Sequence, residues 1–291
     1  MRCGVVVHSG QTTRLKQTYA IGKDLITTKS VAEIQLMFEG EEVNGNLQSA
    51  GFEDASLNGT TKIVRSKTSA SIGLFNKSNS IGQGATNVNL IDSFIEGHQI
   101  VIDNWSTQSA AGQAGTFLDS DGATRYVDEK GFEMDQLFTK SMVGALAYDQ
   151  AVNHYFNRLD DENDNSNTYR TANDEGTVAS DKNYTTMEHH WDEAFGYVYG
   201  NITSENLIYK YIDNVDALTK FAGIEKEILE AFVKGRIAIV EKNYTERDAQ
   251  IAILREKLST IVAVRAVHYL GGGAKLIGTL APDAVQRADA F

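Results

Sequence analysis

The chain has 291 residues, with 27 Lys plus Arg against 39 Asp plus Glu and a formal net charge of −12. That negative excess argues against nucleic acid or an anionic membrane surface as the main partner, since either repels the chain at long range. The single cysteine, Cys3, excludes an internal disulfide and thiolate metal clusters, and the single proline, Pro282, points to long helices rather than turn-rich sandwiches or barrels.

In chain order, residues 11–28 (TTRLKQTYAIGKDLITTK) place Leu15, Tyr19, Ile21 and Leu25 at helical spacing. Ser30 opens a second, shorter helix, with Glu33 completing a capping box. The Gly/Asn/Asp-rich residues 40–60 read as loop, residues 61–75 as a third helix, and 88–106 as a strongly amphipathic one carrying Leu90, Phe94, Val101 and Trp105. Residues 112–131 break the pattern and predict a small hairpin or irregular excursion. A long helix follows over 132–159. The acidic, Asn-rich residues 160–181 read as a surface loop. Helices are then expected at about 185–199, 204–220, 223–242 and 244–270, with an incomplete one from about 282. Gly271–Gly273 marks the end of the long one. No apolar run reaches the length of a membrane-crossing helix.

The sum is an all-α chain of antiparallel helical bundles. Its expected organisation is an N-terminal helical half (1–159), an acidic loop (160–182) and a C-terminal helical half (183–291), together one compact unit. Lys182–Thr185 (KNYT) recurs as Lys242–Thr245, each copy beginning a helix with an acid three residues after the Thr (Glu188, Asp248). Chance, a shared helix-start motif and a duplicated segment each account for this echo, which is too short to prove duplication.

The stretch KNYTTMEHHWDEAFGY (Lys182–Tyr197) carries the candidate chemistry. With Thr185 as N-cap, Glu188 is the third helical residue and closes a capping box. Met187, His190, Trp191, Ala194, Phe195 and Val198 fall on one face. His189, Asp192, Glu193 and Tyr197 fall on the adjoining side. His190/Glu193, His189/Asp192 and His189/Glu193 are three or four residues apart, so each pair converges well enough to hold one ion. The positive helix end disfavours imidazolium, and neutral imidazole is the metal-binding form. The motif is neither H-E-x-x-H nor the Glu-x-x-His of di-iron bundles. In the last long helix the stripe Ile251, Leu254, Leu258, Ile261 continues into Arg265 and His268, which need partners if buried. Glu193 or Asp192 would serve. A ligand site and a purely structural polar network both fit these residues.

The segments Ser9–Gln17, Ser56–Thr68, Lys182–Tyr197 and Ala266–Leu270 together resemble an uncharacterised bacterial domain-of-unknown-function family, number 4856. That family looks related to the imelysin-like helical proteins, which use a Gly-x-His-x-x-Glu motif and are linked to iron uptake. The resemblance implies an exported protein, periplasmic or at the cell surface and often a lipoprotein. It would hold a divalent metal, iron or a small ligand at His190 and Glu193, the two positions that match the motif; the residue pattern itself adds His189 and Asp192 as further ligands and Trp191, Tyr197, Arg265 and His268 in support. Outer-membrane uptake components are the implied partners. Glu188 stands where the imelysin motif has Gly, which weakens the transfer. Because the family continues with another helix beyond Phe291, the chain is expected to be a fragment. Three readings follow: a metal- or iron-associated binding protein, a metal-dependent peptidase-like hydrolase, and a structural or interaction protein whose HHWDE segment is a buried polar network.

Overall fold

The computed structural model describes residues 8–119, 122–161, 167–200 and 207–270. Among them are ten α-helices and two small antiparallel hairpins: α1 (Ser9–Asp24), α2 (Val31–Glu39), β1 (Glu41–Val43), β2 (Asn46–Gln48), α3 (Ile72–Phe75), α4 (Gly82–Asp103), β3 (Gly115–Leu118), β4 (Thr124–Val127), α5 (Met134–Met142), α6 (Tyr169–Glu175), α7 (Thr186–Tyr199), α8 (Tyr209–Asp216), α9 (Ile224–Val240) and α10 (Tyr244–Leu270). The chain is mainly helical, as its composition and periodicity indicate, and the excursion at 112–131 is the β3–β4 hairpin, with Gly115 opposite Val127. The expected helix from residue 282 and the Gly271–Gly273 stop lie outside the described residues.

Four expected elements differ, the first being the stretch read as loop over 160–181, which carries α6. The 40–60 loop holds the β1–β2 hairpin, closed by Asn44 and Gly45 at φ 52 and 78. Two successive positive φ angles make the two-residue turn that an Asn-Gly pair favours. No helix forms over 61–75 beyond a 3-10 turn at Arg65–Lys67 and the four-residue α3. There the Ser66 and Thr68 hydroxyls donate to the Ile63 and Val64 carbonyls at 2.8 and 3.0 Å, and Ser69 takes a φ of 47. Local hydroxyl bonds and a left-handed residue compete with the helix. The long helix over 132–159 is a composite of α5, a π-helical stretch Val143–His154 and a 3-10 turn Tyr155–Asn157. Within the π-helical stretch the Asn153 amide donates to Asp149 at 3.0 Å.

The chain divides into two compact units, each built from separated segments. One comprises the described parts of Lys16–Ser69, Asn79–Leu146 and Ala263–Phe291. Its core packs α2 and α5 on α4 through Ile34, Met37, Phe38, Ile91, Ile95, Phe138 and Met142, with the Phe38 and Phe138 rings edge to face at 5.9 Å.

The other comprises the described parts of Met1–Leu15, Ala70–Ser78 and Ala147–Val262, and α7 lies at its centre. Of the two stripes expected for α7, the apolar one is largely buried and the adjoining one is buried at Asp192 and Tyr197. Met187, Glu188, His190, Trp191, Asp192, Ala194 and Gly196 through Tyr199 are all buried. His189 and Glu193 stay half-buried, while the buried Glu188, His190 and Asp192 depend on protein partners instead of water. Two glycines permit the cover. A Cβ on Gly235 of α9 would lie 2.1 Å from Trp191 Cζ2, and one on Gly196 would lie 2.3 Å from His8 Cβ. These positions bring α9 and the start of α1 directly against α7.

Candidate functional site

The site begins with its cap. Thr185 and Glu188 form the expected capping box, the Glu188 carboxylate accepting from the Thr185 amide at 2.6 Å and the Thr185 hydroxyl accepting from the Glu188 amide. Thr185 Oγ1 also donates to Asn173 Oδ1 at 2.7 Å, while Asn173 Nδ2 donates to the Ile239 carbonyl and Tyr244 Oη, each at 3.0 Å. Asn173 lies on α6, inside the stretch read from sequence as loop, and it links α6, α7, α9 and α10. The second KNYT copy is used differently. Its helix is capped by Asn243, whose side chain accepts from the Glu246 amide at 3.2 Å, two residues earlier in the motif than Thr185. The echo is a similarity of sequence, with no common cap position.

Within α7 the carboxylates are committed. Arg236 of α9 donates through Nε to Asp192 at 3.0 Å and through Nη1 to Glu188 at 2.9 Å. One guanidinium thus serves two buried acids. Burial pushes the Asp192 carboxyl up to about 6 against the opposing pull of Arg236, with Glu188 adding to the rise. Glu193 Oε1 accepts from Gln11 Nε2 at 2.9 Å and from Tyr155 Oη at 3.2 Å, and its Oε2 lies 3.7 Å from His189 Nε2. The His189 ring stacks on Tyr184 at 5.1 Å, leaving its Nδ1 buried without a hydrogen bond.

His190 is held by the backbone. A carbonyl can only accept, so the 2.7 Å contact between Nδ1 and the Arg158 oxygen makes Nδ1 the protonated nitrogen and leaves the lone pair on Nε2. Burial lowers its pKa to about 4, so the ring is neutral at physiological pH. Tyr169 meets the ring edge-on at 4.7 Å. Trp191 donates Nε1–H to the Phe232 carbonyl at 2.9 Å and packs on Phe156 and Phe232. Tyr197 is fully buried, stacked on Tyr155 at 6.1 Å, and burial raises its pKa while Arg14 opposes the rise.

The structure brings His189, His190, Asp192, Glu193, Trp191 and Tyr197 into one polar and aromatic core of α7. Arg265 and His268 lie near the end of α10, in the other compact unit, where the Arg265 guanidinium covers the Tyr269 ring at 5.1 Å. The cationic partner of Glu188 and Asp192 is Arg236, which sequence reading overlooked. Its signal was present: Arg236 borders the buried Phe232, Gly235 and Ile239 in a helix otherwise apolar on that side. The contribution of Gln11, Tyr155 and the Arg158 carbonyl has no local sequence signal, because it depends on segments distant in the chain. Among the described residues no three His, Cys, Asp or Glu side chains are grouped to hold a metal ion.

Compared with known families, residues 3–289 match the model described as Domain of unknown function (DUF4856). No curated protein and no solved structure matches the chain.

Proposed function

The chain belongs to the DUF4856 family, and from that premise we propose that it is a helical scaffold or interaction protein in which the HHWDE segment is a buried polar network. The observation that carries this reading is Arg236, shared at 3.0 and 2.9 Å between Asp192 and Glu188. A carboxylate ion-paired inside a helical core is a poor donor for an exchangeable ligand, because freeing it strands the arginine. The Glu188 side chain is spent twice, on Arg236 and on the cap. The resemblance to imelysin-like proteins supports a periplasmic or cell-surface setting for this scaffold.

A second reading rests on one specific feature. His190 presents an unprotonated Nε2 fixed by its Nδ1–H bond to a carbonyl, the arrangement metal-binding histidines use. Glu193 sits one turn on as the accompanying carboxylate, so metal or iron association would use His190 and Glu193.

Equilibrium urea unfolding tests the first reading. Arg236→Met leaves two buried carboxylates uncompensated and is expected to destabilise the protein by about 3–5 kcal/mol. Adding Glu188→Gln and Asp192→Asn should return much of that loss. A variant as stable as wild type would remove the network from the account.

A further inference from the structure

The α9 helix is apolar on two sides. Ile224, Ile228, Ala231, Phe232, Ala238 and Ile239 face the core. A second stripe, Leu229, Val233, Ile237 and Val240, stands in solvent at 43, 52, 50 and 38% exposure. Its members recur at four, four and three residues, one continuous helix face about 16 Å long at 1.5 Å per residue. Isolated exposed hydrophobics need no explanation, but an ordered row along one helix marks an interaction surface.

We propose that this stripe pairs with the same stripe of a second copy of the chain, antiparallel and about a two-fold axis at Val233. Its first three members are self-complementary in that register, while Val240 meets the stem of the partner's Lys226. Leu229 and Ile237 are equally spaced from Val233, so each meets the other across the axis, as an isologous interface requires. The charges beside the row agree. Lys226, Glu230, Lys234 and Glu241 lie along it, and a two-fold axis of this kind keeps that flank facing itself with its direction reversed. Along the helix the order is then Glu230, the partner's Lys234, Lys234 and the partner's Glu230, so the two lysines meet near the two-fold axis with a glutamate bracketing each, and Lys226 falls beside the partner's Glu241. Each pair is formed twice.

A groove of about 170 Å³, lined by Lys234, Ile237, Ala238, Glu241 and Glu246, opens beside the C-terminal half of the stripe. It lies where the register delivers the partner's Lys226 and Glu230, with two acids and one lysine to receive them. In the single chain Glu230 takes both lysines at 3.7 and 3.4 Å in exposed pairs, with Lys226 80% and Lys234 57% exposed. Such pairs contribute little and re-form readily across an interface. The short row sets the strength: a contact this size falls below the roughly 1,200 Å² of a stable complex, so the dimer is weak and depends on concentration.

Sedimentation equilibrium of the full chain over a wide concentration range is the test, with substitutions confined to exposed positions. Wild type should convert from monomer to dimer as concentration rises. Val233→Glu, which faces itself across the axis, should remain monomeric with unchanged thermal unfolding. Lys226→Glu should weaken the dimer about tenfold by placing like charges opposite the partner's Glu241. Adding Glu241→Lys should restore the wild-type constant. A monomer at every concentration overturns the proposal, as does a dimer indifferent to Val233→Glu. A dimer that the charge exchange fails to restore overturns the antiparallel register.

Discussion

The imidazole of His190 donates its Nδ1 proton to the carbonyl oxygen of Arg158 at 2.7 Å. Burial keeps the ring neutral against the opposing pull of this bond, with a pKa near 4 instead of 6.5, while two residues away burial holds Asp192 near 6 instead of 3.8. The two groups therefore oppose each other in stability. For His190 the unfolded chain binds the proton more tightly, so its contribution is present above pH 6.5 and is lost as pH falls toward 4. For Asp192 the folded chain binds it more tightly, so its contribution is present below 3.8 and is lost as pH rises toward 6. Each amounts to about 3 kcal/mol when fully titrated, so they largely cancel between pH 4 and 6 in the wild type.

Removing either group should expose the other. In urea unfolding across that window, Asp192→Asn is expected to gain stability with rising pH, and His190→Gln to lose it. Parallel slopes in the two variants would show that these groups are not the ones in opposition.

Gly235 should be intolerant of even a methyl group. A Cβ there would meet Trp191 Cζ2 and Cη2 at 2.1 and 2.2 Å, and neither the buried indole nor the helix backbone has room to yield. Gly235→Ala is expected to destabilise by about 1–3 kcal/mol despite the better helix propensity of alanine. Trp191→Phe in the same chain should offset part of the loss. A stabilising Gly235→Ala, measured by thermal unfolding, would contradict the packing described.

The two KNYT copies should respond differently to the same change. Thr185→Ala removes the cap of α7 and the bond to Asn173, and is expected to cost about 1–2 kcal/mol. Thr245→Ala removes an exposed side chain inside α10 and should be nearly neutral, whereas Asn243→Ala should cost about 1 kcal/mol. Equal losses at Thr185 and Thr245 would mean that both threonines act as caps.

The fold was legible where patterns are local. Ser30 with Glu33 and Thr185 with Glu188 announced their capping boxes, and the spacing of Leu254, Leu258 and Ile261 announced α10. Reading failed where side chains compete with the backbone, as at Ser66 to Ser69, and where Asn44-Gly45 closes a hairpin too short to show alternation. The site was half legible. His190, Asp192 and Glu193 stood out by type and spacing. Their partners Arg236, Gln11, Tyr155 and the Arg158 carbonyl lie 32 to 182 residues away in the chain, and a largely buried helix carries no periodic mark of who covers it.

Metal retention separates the buried-network account from its rival most directly. Purified protein is dialysed with ferrous iron or zinc, then against metal-free buffer, and its metal content is read by mass spectrometry beside His190→Ala and Glu193→Ala. The network account predicts no stoichiometric ion in any of the three proteins. One ion per chain in the wild type, lost in both variants, would contradict it and place a metal at His190 Nε2 and Glu193.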